Sequence, residues 1–171
     1  DASRIALQRS LDLLDGPLGA RTDLGPERAR AHGSLAVTLV ALGEFDDACR
    51  EVEAVMSIWA SDALRLDARF DADRARAEGT MANVLRGLGH LPAAREAAER
   101  SLDLLNGDAL KARADLDPDR ARSHGTFAGI LRDLGDLPAA RDAAERARDL
   151  LDGPALKARA DLDPQRSQSL G

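Results

Sequence analysis

The chain repeats itself with a period of 46 residues. Residues 117–162 and residues 71–116 are identical at about 33 of 46 positions, and residues 26–70 follow the same plan more loosely. A repeat of this length is one supersecondary unit that buries its apolar face only by stacking on its neighbours. The sequence therefore predicts one domain of stacked units over residues 1–171.

The repeat sets the boundaries of the units. We divide the chain into a half unit with its connector (1–25), three units (26–70, 71–116 and 117–162) and the start of a further helix (163–171). Residues 1–14 align with the second half of the later units, so both ends cut a unit in two. We expect apolar surface at these ends, which either continues into further chain or meets something else, such as another copy.

Each unit contains two helices, which we call helix A and helix B. In the third unit, helix A runs from Pro118 and carries apolar residues at helical spacing, with Asp117 as its N-cap and Gly135 as its left-handed end. Helix B is capped by Asp136, has an apolar side of alanine and leucine, and ends near Gly153. Because the turn between them is short, the two helices must pack antiparallel.

The connectors after helix B are also rich in helix-forming residues. Residues 109–116 and 155–162 share the sequence ALKARADL, which predicts a short third helix. Its leucines, Leu110 with Leu116 and Leu156 with Leu162, are expected to pack against the stack. In the first unit the Gly-Pro stop is missing, so helix B is expected to continue through Ala63.

Small residues recur at matching places in all three units. A small residue in helix A, a large one after it, a glycine in the turn and a small residue early in helix B recur as Ala36, Leu39, Gly43 and Ala48, then Ala82, Leu85, Gly89 and Ala94, then Ala128, Leu131, Gly135 and Ala140. This pattern resembles the tetratricopeptide repeat, in which the two small residues let helices A and B approach closely. The resemblance implies an all-α fold, a right-handed α-solenoid of antiparallel helix pairs, and a role in binding proteins or peptides.

The chain departs from the usual tetratricopeptide repeat in two ways. Its period of 46 residues exceeds the usual 34 and is similar to the long-period repeats of kinesin light chains and of bacterial regulatory proteins. Those relatives often carry asparagine on the inner face of helix A, where this chain has Gly-Ser or Gly-Thr at Gly33, Gly79 and Gly125. Their peptide-binding asparagine chemistry therefore does not transfer to this chain.

Composition narrows the classes of partner. The net charge of −6 argues against a nucleic-acid binder, because neutralising phosphates requires a basic surface. The sequence contains no run of about 18 apolar residues, so we expect no membrane span. The single cysteine, Cys49, excludes an internal disulfide and fits a reducing, cytoplasmic compartment.

The candidate metal-binding and catalytic residues can be interpreted as structural residues. Asp115, Asp117 and Asp119 alternate as at the start of an EF-hand loop, but arginine and threonine occupy the places of its glycine and glutamate. His32 and His124 are two repeats apart, too far to share a metal, and Cys49 lies near acids that raise a thiol pKa. We therefore expect no enzyme, no metal site and no cofactor, and we interpret the acids as helix caps and the histidines as packing residues.

The resemblance places helix A on the concave surface of the array. The candidate partner-binding residues on its inner face are Arg76, Gly79, Thr80, Asn83, Arg86, Arg122, Gly125, Thr126 and Arg132. We predict that this face binds an acidic or carboxylate-bearing peptide, with the arginines contacting carboxylates and Asn83 and Thr126 bonding the peptide backbone.

Alternatives remain open at this point for each feature. The arginines are equally typical of a solvated face that pairs with acids of adjacent helices, and the glycines are equally consistent with close helix packing. The whole chain could instead be a structural spacer that self-associates through its exposed end units.

Overall fold

The computed structural model describes residues 2–18, 21–61 and 64–153. Within these ranges every regular element is helical, which confirms the all-α class. Seven α-helices follow in order: α1 (Ala2–Asp15), α2 (Gly25–Leu42), α3 (Phe45–Trp59), α4 (Asp71–Gly87), α5 (Leu91–Asn106), α6 (Asp117–Asp133) and α7 (Leu137–Leu151). Helices α2, α4 and α6 correspond to the predicted helices A, and α3, α5 and α7 to helices B. None of the described helices has both the length and the apolar character needed to cross a bilayer.

Glycine ends each A helix in the predicted left-handed conformation. Gly43, Gly89 and Gly135 have φ angles of 78°, 79° and 87°. At Gly89, the N–H bonds the carbonyl of Arg86 and the next N–H, of His90, bonds Leu85. This pair of bonds satisfies carbonyls that the helix end leaves free, and only glycine adopts the required φ without strain.

One of the two predicted N-caps is confirmed and the other is wrong. Asp136 accepts a hydrogen bond from the N–H of Ala139 at 3.2 Å, as a capping residue should. Asp117 does not cap α6, because it is the first residue of the helix and its carboxylate instead accepts from Arg120 at 2.8 Å. Leu116 occupies the capping position and offers no side-chain bond.

Alanine pairs hold the first two A helices, α2 and α4, against their B helices. Ala36 and Ala48 are both fully buried in one core cluster, and Ala82 and Ala94 are both fully buried in another. The B helix of one pair then packs on the A helix of the next, α3 on α4 and α5 on α6. Consecutive A helices also touch each other, which brings their outward faces side by side.

The connectors contain 3₁₀ turns in place of the predicted third helix. Residues 107–112 form hydrogen-bonded turns, and the short helix after them, Ala114–Leu116, is a single 3₁₀ turn. Arg113 is extended, with ψ of 95°, and this breaks any continuous α-helix. Leu110 and Leu116 are buried as expected, at 3% and 2% exposure. Leu156 and Leu162 lie outside the described residues.

The first connector also differs from expectation. Helix α3 ends at Trp59 rather than continuing through Ala63, a residue that lies outside the described ranges. The Trp59 ring packs against Phe70 at a centroid distance of 5.2 Å, and Phe70 belongs to the 3₁₀ turn Ala68–Phe70. A large aromatic pair therefore fixes this connector, where the later unit uses leucines.

Candidate functional site

A groove of about 780 Å³ runs across the faces of α2, α4 and α6 that carry most of the predicted binding residues. We call it the A-helix groove. Its polar wall is formed by Arg30, Asp73, Arg76, Asp119, Arg122 and Thr126. Its apolar floor is formed by Val37 and Val40 of α2 over the core residues Val52, Val55 and Trp59, which are only 1–3% exposed. Six of the nine predicted binding residues line the groove: Arg76, Gly79, Thr80, Asn83, Arg122 and Thr126.

The A-helix groove exists because equivalent residues of consecutive A helices come side by side. Asn83 of α4 donates through Nδ2 to the Thr126 hydroxyl of α6 at 3.2 Å, and also to the Gly79 carbonyl at 3.1 Å. The hydroxyl of Thr80 bonds the Arg76 carbonyl one turn earlier. The predicted donors to a peptide backbone are thus already engaged within the wall, which fixes their orientation.

Ion pairs cross the gaps between the A helices. Arg30 of α2 contacts Asp73 of α4 at 2.9 Å. Arg76 contacts both Asp119 oxygens, Nε to Oδ1 at 3.1 Å and Nη2 to Oδ2 at 2.8 Å. A further contact of 3.1 Å joins Arg76 to Asp73. The hydrogen bond with Asp119 is the main cause that raises the pKa of Arg76 above its ordinary value.

Three predicted binding residues do not line the groove. Arg86 of α4 pairs with Asp133 of α6 at 2.6 Å, and this bond is the main cause that lowers the pKa of Asp133. Arg132 contacts the same carboxylate at 3.3 Å, and Gly125 is exposed. Arg76 and Arg86 thus pair with acids on an adjacent helix, as the solvated-face alternative described. Arg122 differs, because its Nη1 is 3.7 Å from the carboxylate of Asp119 in its own helix.

Close packing does not account for Gly33, Gly79 and Gly125. A Cβ added to Gly33 would meet its nearest neighbour, Val55, at 4.0 Å, and one added to Gly79 would meet the Ser101 hydroxyl at 3.4 Å. Around Gly125 no atom lies within 4 Å. Alanine would therefore fit at all three positions, and no neighbouring atom requires glycine there. The missing side chains leave more open space along this face of the A helices.

Sequence reasoning missed the two aspartates of the polar wall and the floor contributed by α3. Asp119 was interpreted as a helix-end acid, and Asp73 holds the same place 46 residues earlier, yet each is about 85% buried and bonded by arginine side chains. The sequence does contain a signal for this pairing, because Asp73 precedes Arg76 by three residues and Asp119 precedes Arg122 by three residues. Val52, Val55 and Trp59 carried no such signal, since apolar residues on helix B are first of all core residues.

One buried arginine, Arg120, and one half-buried arginine, Arg74, were missed as well. Arg120 is 6% exposed and donates to the carbonyls of Leu105, Leu110 and Arg113 and to Asp117. Arg74 makes the equivalent bonds to the carbonyls of the preceding connector. Arginine at the same place in successive units was the visible signal, but its partners are backbone atoms whose positions no sequence pattern specifies.

The remaining candidates form no metal-binding group in the described part of the chain. No group of three or more His, Cys, Asp or Glu side chains there is placed to hold a metal ion. The three alternating aspartates each contact an arginine: Asp115 with Arg113, Asp117 with Arg120 and Asp119 with Arg76.

The histidines and the cysteine have local packing roles. His32 lies between Glu51 at 2.7 Å and Asp15 at 3.4 Å, and so joins α1, α2 and α3. Burial, with a smaller contribution from Arg146, lowers the pKa of His124. Burial is also the main cause that raises the pKa of the Cys49 thiol, followed by the charge of Glu53, so the thiol stays protonated at neutral pH.

Comparison of this chain with protein-family models, with curated proteins and with solved structures gave no match. The functional argument therefore rests on the geometry and chemistry of the A-helix groove.

Proposed function

We propose that this chain is a protein–protein interaction module whose A-helix groove binds an extended segment of a partner protein. In this proposal the stacked helix pairs form a right-handed solenoid of tetratricopeptide-like units with a 46-residue period. A cytoplasmic location fits the single cysteine. The function is that of a scaffold or sensor segment within a larger protein.

The observation that carries this proposal is the composition of the A-helix groove. It places an apolar floor beside half-exposed guanidinium groups, with Val37 56% exposed and the side chains of Arg30 and Arg76 about half exposed. A ligand with both apolar side chains and carboxylates would bury the first and pair with the second. Packed helices lie about 8–10 Å apart, so a chain crossing from α2 to α6 needs about five or six extended residues.

The charge of the A-helix groove favours an acidic or carboxylate-bearing segment. Three arginines and two aspartates line it, so it carries net positive charge in a chain whose net charge is −6. Arg76 uses three N–H groups in its bonds to Asp73 and Asp119, out of the five that a guanidinium carries, and its side chain is 47% exposed. A carboxylate of the partner segment can therefore be accepted without breaking the pairs between helices.

The first experiment replaces an apolar floor residue whose loss does not affect the core. Val37→Asp places a carboxylate over the floor, and Leu66→Asp is the matched control, since Leu66 is 82% exposed in a connector and does not line the groove. Partners are captured from a lysate by the wild-type chain, identified by mass spectrometry, and their binding is measured by calorimetry with purified protein.

We expect Val37→Asp to weaken the binding of such a partner about tenfold or more, because an unpaired charge is then buried against apolar side chains. The Leu66→Asp control should bind as the wild type does, and circular dichroism should show both variants folded. Equal affinity of the two variants for every captured partner would exclude the groove as the binding site.

A second candidate function is self-association through the end units. The observation in its favour is a contrast between equivalent leucines: Leu105 of α5 is 1% exposed, whereas Leu151 of α7 is 56% exposed. Ile5 and Leu13 on α1 are also more than half exposed. Apolar side chains at the ends of a helical array provide a surface on which another copy can pack.

A further inference from the structure

Two serines meet at the junction of α5 and α6, where the preceding junction has apolar residues. Ser101 of α5 and Ser123 of α6 are 0% and 7% exposed, and their hydroxyl oxygens are 2.9 Å apart. One repeat earlier, at the junction of α3 and α4, the same two positions hold Val55 and Ala77, which are buried in one apolar cluster. The stacking of one unit on the next therefore does not require hydroxyl groups at these places.

The protons of this serine pair point into the helical stack. The Ser101 hydroxyl donates to the carbonyl oxygen of Ala75 in α4 at 2.8 Å. Because a hydroxyl carries one proton, the bond between the two serines must be donated by Ser123. In the described part of the chain Ser123 forms this one side-chain hydrogen bond. The Ser123 oxygen thus keeps lone pairs that accept a bond and has no proton left to donate.

Gly79 leaves the approach from the A-helix groove to this oxygen open. Both Gly79 and Ser123 line the groove. A Cβ added to Gly79 would lie 3.4 Å from the Ser101 oxygen and 3.8 Å from the Ser123 oxygen, so an alanine methyl would fit there but would stand beside the pair. Gly33, one repeat earlier, faces an apolar side chain instead. The missing side chain of Gly79 therefore opens the groove toward hydroxyl groups.

Two bridges between α4 and α6 frame this opening. The Arg76–Asp119 ion pair joins the helices one turn before Gly79. The bond from Asn83 to Thr126 joins them one turn after it. Arg76 and Asn83 are about 10 Å apart along α4 at 1.5 Å per residue, roughly the spacing of two packed helices. We call the opening between these bridges the hydroxyl window, and it has room for one small side chain.

We propose that the hydroxyl window binds a serine or threonine side chain of the partner segment, whose hydroxyl donates to the Ser123 oxygen. The window supplies the acceptor, so the ligand must supply the donor. A lysine or arginine is disfavoured, because its charge would lose hydration beside a residue that is 7% exposed. An apolar side chain is disfavoured, because it would cover the Ser123 oxygen without bonding it. This inference rests on the proposed function and adds one residue type to the bound segment, at the place where it crosses from α4 to α6.

The test uses two matched sets of short fluorescein-labelled peptides that contain apolar residues and one glutamate. In the first set a serine is placed in turn at each position, so that every register across the groove is sampled. In the second set α-aminobutyrate replaces that serine, which exchanges the hydroxyl for a methyl group. Affinities are measured by fluorescence anisotropy.

The peptides are titrated on the wild-type chain, on two variants of the window and on a control. Ser123→Ala removes the acceptor, and alanine already stands at the same place one repeat earlier, at Ala77. Gly79→Ala places a methyl group beside the serine pair. Gly125→Ala is the matched control, because it makes the same change at the same place one repeat later, where no atom lies within 4 Å of the added Cβ.

We expect at least one serine peptide to bind the wild type and Gly125→Ala about three- to tenfold more tightly than its α-aminobutyrate counterpart, as one hydrogen bond between neutral groups would give. On Ser123→Ala and Gly79→Ala this preference should vanish while the α-aminobutyrate peptides keep their affinity. Equal binding of the two sets to the wild type would overturn the hydroxyl window and leave water as the partner of Ser123. A preference that persists on Ser123→Ala or on Gly79→Ala would overturn it as well.

The outcomes also separate this inference from the proposed function. Peptides of both sets that bind the wild type equally, and lose affinity on Val37→Asp, would overturn the hydroxyl window and leave the groove as a binding site. Binding by neither set would overturn both.

Discussion

The guanidinium of Arg120 bonds the backbone instead of the groove. With 6% exposure it is the most buried arginine described, and three of its four recorded bonds go to the connector or to the end of α5. A buried charge is tolerated only when its donors are satisfied. The carbonyls of Leu110 and Arg113 also accept backbone bonds within the connector, from the N–H groups of Arg113 and Leu116, so Arg120 adds a second donor to each. Arg120 therefore ties the connector and the end of α5 to α6.

Replacing Arg120 by methionine removes the charge and these bonds together. We expect Arg120→Met to lower the free energy of unfolding by about 3–5 kcal/mol, because the connector and the end of α5 lose the charge-assisted bonds that hold them to α6, and Asp117 loses its buried partner. Urea denaturation followed by circular dichroism measures the change. Arg141→Met, at an exposed arginine with a single ion pair, should change stability little. Similar losses in the two variants would show that the connector does not depend on Arg120.

At the scale of the helix, Gly125 of α6 lies in open space whereas Gly87 of α4 is closely packed. Gly125 lies mid-helix in α6, and a Cβ there meets nothing within 4 Å. Gly87 is the last residue of α4, and a Cβ there would overlap the ring of Phe45 from the preceding helix pair. The same substitution should therefore have opposite effects at the two positions.

We expect Gly125→Ala to raise the free energy of unfolding by about 0.5–1 kcal/mol, since alanine restricts the unfolded chain and favours the helix. Gly87→Ala should lower it by about 1 kcal/mol or more, because the Phe45 ring must move. Thermal and urea unfolding of the two variants beside the wild type measure both changes. A loss of stability in Gly125→Ala would mean that the space around this residue is filled in solution.

The helices themselves were largely predictable. The apolar spacing, the turn glycines and the alanine pairs specify where α2 to α7 begin and end to within a few residues, because each depends on local chemistry. The connector over residues 109–116 was mispredicted, because its sequence ALKARADL favours a helix whereas Arg113 is extended and Arg120 bonds the carbonyls of Leu110 and Arg113. The candidate site was partly predictable: one face of each A helix follows from periodicity, but the partners of Arg76 and Arg86 belong to other helices.

Across the whole molecule, ion pairs connect each A helix to the next. Arg30–Asp73 joins α2 to α4, while Arg76–Asp119 and Arg86–Asp133 join α4 to α6. These pairs are partly exposed, so each adds little stability by itself. They do fix the lateral spacing of the A helices, and thereby the width of the groove. The helical stack supplies the stability, and the ion pairs align the binding surface.

The exposed leucines of α7 carry the self-association proposal at the scale of the molecule. Leu137 and Leu151 of α7 are 63% and 56% exposed, and burying them would remove apolar surface from water. We expect the wild-type chain to show a mass that rises with concentration in analytical ultracentrifugation, and the double variant Leu137→Glu with Leu151→Glu to keep the mass of one chain. Leu66→Glu, which changes an exposed leucine away from this end, should associate as the wild type does. A wild-type mass that stays constant at all concentrations would exclude self-association and leave the groove as the interaction surface.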